Sequence, residues 1–164
     1  MSTIDEAIET NKRYADTFEL GNLLRAPIRK LAIVACMDAR MTVEQALGLK
    51  TGDAHIIRNA GGIVTEDVLR SLILSHHLLG TQEFMVINHT DCGMLIFEDE
   101  ELKKQLVEKT NATADIPASF LPFFNLEANV REQVEKIKAH PWMPKGAPVR
   151  GFVYDVRDGR LHEV

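Results

Sequence analysis

The sequence predicts an α/β fold: a central, mostly parallel sheet with flanking helices and an N-terminal helical arm. Three observations predict it. Short apolar runs alternate with amphipathic stretches along the chain, as strands and helices do in α/β proteins. The first run, LAIVAC at 31–36, is apolar without a break, which suits a strand buried on both faces. The residues with the most chemical character then gather where predicted strands end, and open parallel sheets form their ligand sites there.

Taken in order, residues 2–20 read as a helix, with Ser2 or Thr3 as its cap and acidic residues in its first turn. Its apolar stripe is weak (Ile4, Ala7, Ile8, Tyr14, Phe18). Either this helix covers its own domain, or residues 1–25 form an arm packed on a second subunit. After the strand at 31–36 comes a helix at 43–49 and a second strand near 55–58. Thr65 caps a helix running to Leu79, with Asp67 in its first turn and Gly80 just beyond its end. FMVIN, 84–88, is the third strand. Charged sequence over 98–109 reads as a solvated helix, followed by a Pro-bearing loop and a helix over 126–139. A fourth strand covers 149–156, and Asp158–Gly159 is a turn signal before a short terminal strand. No repeat, low-complexity tract or linker interrupts this series, so residues 1–164 read as a single domain.

With 164 residues, 45% of them apolar, the chain can bury a sizeable core. The net charge of −5 and the absence of any Lys/Arg block give no electrostatic reason to expect nucleic-acid binding. No apolar run approaches the roughly 20 residues that span a bilayer. The polar, acidic start fits neither a signal nor a transit peptide, so the expected location is cytoplasmic. In that compartment the two cysteines are free thiols or metal ligands. A disulfide between them would close a long loop and stabilise by about 4 kcal/mol in an oxidising compartment, which nothing else suggests.

Three clusters carry chemistry: CMDAR at 36–40, RNAGG at 58–62 and HTDCG at 89–93. Cys36 closes the first strand and His89 the third. Two thiolates and an imidazole suit tetrahedral zinc and leave one position open for water. If Cys36 and His89 share a metal, the first and third strands are neighbours. Right-handed crossovers then give the order 2-1-3-4, with the metal at the switch point. His89 and Cys92, two residues apart, reach one ion from a strand-to-helix turn, and Gly93 leaves an N–H facing a ligand. Taken alone, HxxC equally describes a buried cysteine near a surface histidine. Asp38 either serves as a fourth ligand that closes the site or pairs with Arg40, whose guanidinium grips carboxylates with two hydrogen bonds. A nucleotide-binding module is disfavoured, because neither GxGxxG nor GxxxxGK[ST] is present.

CMDAR, RNAGG and HTDCG, in this order and spacing, resemble the signature of the β-class carbonic anhydrases. The match runs over 31–94, with a compatible strand near 151–156. The resemblance implies Zn2+ on Cys36, His89 and Cys92, with Asp38 and Arg40 as a catalytic dyad. In some members the aspartate matching Asp38 binds zinc and closes the site at lower pH. The implied activity is reversible hydration of carbon dioxide to bicarbonate and a proton, with zinc-bound hydroxide as nucleophile and the Gly93 N–H as a substrate-binding donor. The resemblance further implies a homodimer or homotetramer whose N-terminal helices embrace the partner, with no nucleic-acid or membrane partner. The chain is shorter than most members. It also has Arg25-Ala26-Pro27 where plant-type members carry a substrate-holding glutamine. Ile63, Val64, Met94 and Phe97 are candidates either for pocket lining or for core. His55, His76 and His77 are candidates either for proton shuttles or for ordinary surface positions. Two other functions compete: a related zinc hydrolase of carbon disulfide or carbonyl sulfide, and a non-catalytic zinc-binding protein.

Overall fold

The computed structural model describes residues 1–115 and 117–164. Strand β1 (Leu31–Cys36) forms the axis of the sheet, and Ala32, Ile33, Val34 and Ala35 are fully buried in it. Parallel strands β2 (Ala54–Asn59) and β3 (Glu83–His89) flank it on either side. Strand β4 (Val149–Tyr154) runs parallel to β3, and β5 (Leu161–Glu163) completes the edge antiparallel to β4. The order β2-β1-β3-β4-β5 is the expected 2-1-3-4 with the terminal strand added outside. In the register, Cys36 faces Asn59 of β2, and Ala35 faces Ile87 of β3. The ends of β1 and β3 therefore meet, which brings position 36 beside positions 88 and 89.

The helices follow the sequence signals most closely where caps are strong. Ser2 and Asp5 close a reciprocal capping box at the start of α1 (Thr3–Asp16). This helix stops short of residue 20, where Thr17 bonds back to the Tyr14 carbonyl through both its N–H and its Oγ1. None of its residues is buried, so it does not cover its own domain. The second helix, α2 (Val43–Ala46), is shorter than the expected 43–49, because Gly48 turns the chain with φ 62°. Thr65 caps α3 (Glu66–Leu79), and Gly80 ends it in the left-handed conformation. Helix α4 (Asp99–Thr110) is solvated, and α5 (Leu126–Ala139) buries Val130, Val134 and Ile137. Strand β4 ends two residues earlier than expected, where the Asp155 N–H leaves the ladder to bond the Arg160 carbonyl.

Two apolar layers sandwich the sheet. One packs Val68 and Leu72 of α3 and Val134 and Ile137 of α5 on Val34, Phe84 and Val86. The other joins Ile33, Ala35 and Ile87 to Met41, Val43, Ile63, Met94 and Phe123, and it includes Cys36 and Cys92. A close approach fixes α5: a Cβ on Gly151 would lie 2.5 Å from Val130 Cγ1, so only glycine lets the helix settle this close to β4.

Candidate metal centre

Cys36 ends β1, His89 ends β3, and Cys92 follows in the turn after β3. Their ligand atoms lie within 4.8 Å of one another, and all three residues are buried. The sequence expectation that these positions converge is met. Both cysteines are free, so the disulfide alternative does not hold.

The polarity of this cluster tests whether a metal fits it. His89 Nδ1 lies 2.8 Å from the Thr90 carbonyl, which can only accept, so Nδ1 carries the hydrogen. In the neutral ring Nε2 is then an acceptor, buried beside the sulfurs and without a hydrogen-bond partner among the described residues. A buried nitrogen without a partner is costly. A metal ion supplies what it lacks, and the Nδ1–carbonyl bond orients the ring as an outer-shell partner does. The two thiols are equally unbalanced. The hydrogen bond from Cys92 holds Cys36 down at about 4, aided by the N–H groups of Asp38 and Gly61, while the same bond and burial push Cys92 up. The pair thus behaves as one thiolate and one thiol. His89 is pulled down by burial, but Cys36, the Thr90 carbonyl and Asp38 outweigh that and leave it raised. Two thiols and an imidazole, buried together, are the donor set of zinc.

Asp38 stands at the rim. Its Oδ1 accepts from the Arg40 backbone N–H at 2.8 Å and from Nε at 3.0 Å, and its Oδ2 accepts from Nη2 at 2.8 Å. Those bonds hold the carboxyl well below the usual carboxylate range and Arg40 above its own. Oδ2 is also 3.6 Å from His89 Nε2, so the carboxylate borders the metal position while Arg40 grips it. Gly93 is exposed, with nothing within 4 Å of where its Cβ would be. The glycine therefore leaves open space over the backbone there.

Several residues that sequence reasoning left without a role build the frame. Arg58 donates to the Cys36 carbonyl at 2.9 Å and to the Asp38 carbonyl at 2.6 Å, tying the first motif to the second. Gly61 and Gly62 both have positive φ, and a Cβ on Gly62 would meet the Cys36 backbone nitrogen at 3.0 Å. That approach brings the Gly61 N–H to the Cys36 sulfur. Asn88 then holds the Gly61 carbonyl at 2.8 Å, Asn129 holds Asn88 at 2.6 Å, and Gln133 holds Asn129 at 2.9 Å. This buried amide chain runs from α5 to the metal cluster. Asn129 and Gln133 lie far along the chain from any motif, so only a polar pair on the buried face of a helix signalled them.

A family model for carbonic anhydrase matches residues 31–161. Over its whole length the chain is 43% identical to β-carbonic anhydrase 1 of Mycobacterium tuberculosis, covering 99% of that protein. The chain belongs to the β-carbonic anhydrase family. The crystal structure of carbonic anhydrase from Streptococcus mutans superposes with a TM-score of 0.93 at 44% identity, over 100% of this chain and 98% of that one. Carbon disulfide hydrolase of Saccharolobus solfataricus is 36% identical over 183 aligned residues, spanning 98% of this chain and 90% of that protein. β-Carbonic anhydrases use zinc, and the Cys36, His89 and Cys92 cluster suits it.

Two further candidate sets separate within this carbonic anhydrase fold. Ile63 and Met94 belong to the apolar layer around the cysteines, with Phe97 packed against it, but Val64 lies in the opposite layer and lines nothing at the metal. Phe123 takes that place, 3.1 Å from where a Gly61 Cβ would be. His55 pairs with Ala32 near the start of β1, four residues or about 13 Å from the Cys36 end. Its Nδ1 bonds Ser75, while His76 bonds the Thr81 carbonyl and His77 the Trp142 carbonyl. These three histidines serve the far end of the sheet, not the metal.

Proposed function

We propose that this chain reversibly hydrates carbon dioxide to bicarbonate and a proton, with Cys36, His89 and Cys92 holding the zinc and Asp38 and Arg40 acting beside it. The observation that carries this reading is the partnerless His89 Nε2, buried with two thiols and bordered by a carboxylate in an arginine's grip. Zinc held there would supply Lewis acidity, lowering the pKa of a bound water toward neutrality. The two cysteines bring negative charge that moderates this acidity. Asp38, kept anionic by Arg40, is placed to accept the hydrogen of a water bound there and would so orient its lone pair. The Gly93 N–H is the donor to the developing bicarbonate, in the open space above the turn. Ile63, Met94 and Phe123 give the site apolar walls that favour an uncharged, linear substrate over bulk water.

The same reading makes residues 1–164 one catalytic domain and residues 1–25 an arm that packs on a second copy, in a homodimer or homotetramer. Support comes from α1, which presents Ile4, Ile8 and Tyr14 to solvent and buries none of its residues. No helix among the described residues is long and apolar enough to cross a membrane. A reducing compartment, the cytoplasm, keeps both thiols available as ligands.

Stopped-flow hydration at pH 7 and 8.5, on protein with measured zinc content, tests the assignment. Hydration that depends on zinc is expected. Full zinc occupancy without hydration at either pH would move the assignment to carbon disulfide or carbonyl sulfide, substrates to be assayed on the same samples.

A further inference from the structure

Asp91 has no part in the reaction described above, yet it is built into the site. It sits in the turn between His89 and Cys92 with φ 56°, a left-handed conformation that Asp and Asn tolerate better than most residues. That turn presents both its carboxylate and its carbonyl to one guanidinium. Arg40 Nη1 donates to Asp91 Oδ2 at 2.8 Å, and Nη2 donates to the Asp91 carbonyl at 3.0 Å. Asp38 takes Nε and the other hydrogen of Nη2. Four of the five guanidinium N–H groups are thereby committed, and the two aspartates use different hydrogens. They do not compete for Arg40; they hold its plane from two sides.

The side chains of Arg40 and Asp91 are 47% and 73% exposed, so their ion pair adds little to stability. Its effect is on orientation. Without the Asp91 carboxylate, Nη1 of this exposed arginine loses its anchor. Only Asp38 and the Asp91 backbone carbonyl then hold the guanidinium, while Asp38 Oδ2 stands just 3.6 Å from His89 Nε2. We propose that Asp91 is a positioning residue: it clamps Arg40 in the orientation that grips Asp38, and so keeps the Asp38 carboxylate from closing on the metal position. This rests on zinc being held by Cys36, His89 and Cys92, and it adds the element that sets whether Asp38 is on or off that position.

The test uses zinc-loaded protein and two substitutions that accept the φ of 56° without strain. Asp91→Gly removes the carboxylate, whereas Asp91→Asn keeps an Oδ1 acceptor for Nη1. Two measurements read the result: the Asp38–zinc distance in crystal structures, and the rate of zinc transfer to a chromogenic chelator. In Asp91→Gly, Asp38 is expected within about 2.2 Å of the metal, with zinc transfer slowed about tenfold by the extra protein ligand. Asp91→Asn is expected to stay within about twofold of the parent rate, since the acceptor remains. Asp38 remaining on Arg40 in Asp91→Gly, with zinc released at the parent rate, would overturn the proposal. So would Asp91→Asn matching Asp91→Gly. Neither readout requires turnover, so parent protein that binds zinc but hydrates nothing defeats the enzymatic assignment without deciding this one.

Discussion

The metal centre and the N-terminal helix both leave side chains without partners, but in opposite settings. At the centre the partnerless group is one nitrogen, His89 Nε2, inside a frame where almost every neighbour is held. Arg58 fixes the carbonyls of Cys36 and Asp38, Asn88 fixes Gly61, and Arg40 fixes Asp38. In α1 the unpartnered groups are whole side chains, with Ile4 72% and Ile8 51% exposed. A helix this short gains little stability from its own hydrogen bonds and normally relies on a buried face. The capping box defines where α1 begins, but nothing among the described residues buries its apolar side chains. One region suits a single ion; the other leaves a whole helix face exposed.

Breaking the first region at a ligand has the largest effect. Cys92→Ser replaces a thiolate by a hydroxyl that stays protonated at neutral pH, so zinc per chain and hydration should fall together, activity by more than about a hundredfold. Metal analysis alongside stopped-flow assay checks this, and a serine variant that keeps full zinc and activity would remove Cys92 from the ligand set.

Breaking the frame rather than the ligands costs stability. Gly62→Ala adds a Cβ at φ 62° that meets the Asn88 amide nitrogen at 2.8 Å and the Cys36 backbone nitrogen at 3.0 Å. Positive-φ strain and overpacking together predict a loss of about 2–4 kcal/mol in urea unfolding. A loss below about 1 kcal/mol would mean that the loop is free to move away from β1.

The same contrast predicts that the arm is separable from the site. Replacing Ile4 and Ile8 together by Asp should weaken self-association by at least about tenfold in sedimentation velocity, as loss of buried interface anchors does. Zinc content should stay unchanged. An unaltered mass distribution would exclude this face of α1 from the interface.

The smallest expected effect is electrostatic. The Arg40 bonds hold Asp38 below its ordinary 3.8, so the pairing favours the folded state above the unfolded pKa and is lost as pH falls through the folded one. On metal-free protein, the stability gap between the parent and Asp38→Asn should be level from about pH 5 to 8 and narrow below about pH 4. A gap that changes between pH 6 and 8 would assign the titration to another group.

Legibility in the sequence followed how local each determinant is. LAIVAC, the Thr65 cap and Gly80 act over a few residues, and all three appear as read. The order of the first four strands needed only one long-range inference, that Cys36 and His89 share an ion. What stayed hidden depends on tertiary approach. Asn129 and Gln133 look like ordinary polar helix positions until α5 docks, and Val64 looks like its neighbour Ile63 until the chain crosses to the other layer. Asp91 lay inside a motif already singled out, but its bond to Arg40 spans 51 residues and only the fold reveals it.

Zinc at Cys36, His89 and Cys92 is the centre of the proposed carbon dioxide hydrating site. The most direct test adds zinc stepwise to metal-free protein while hydration is followed at pH 8.5. Activity should rise linearly and break at about one zinc per chain. Zinc taken up to that point with no rise in hydration would contradict the account.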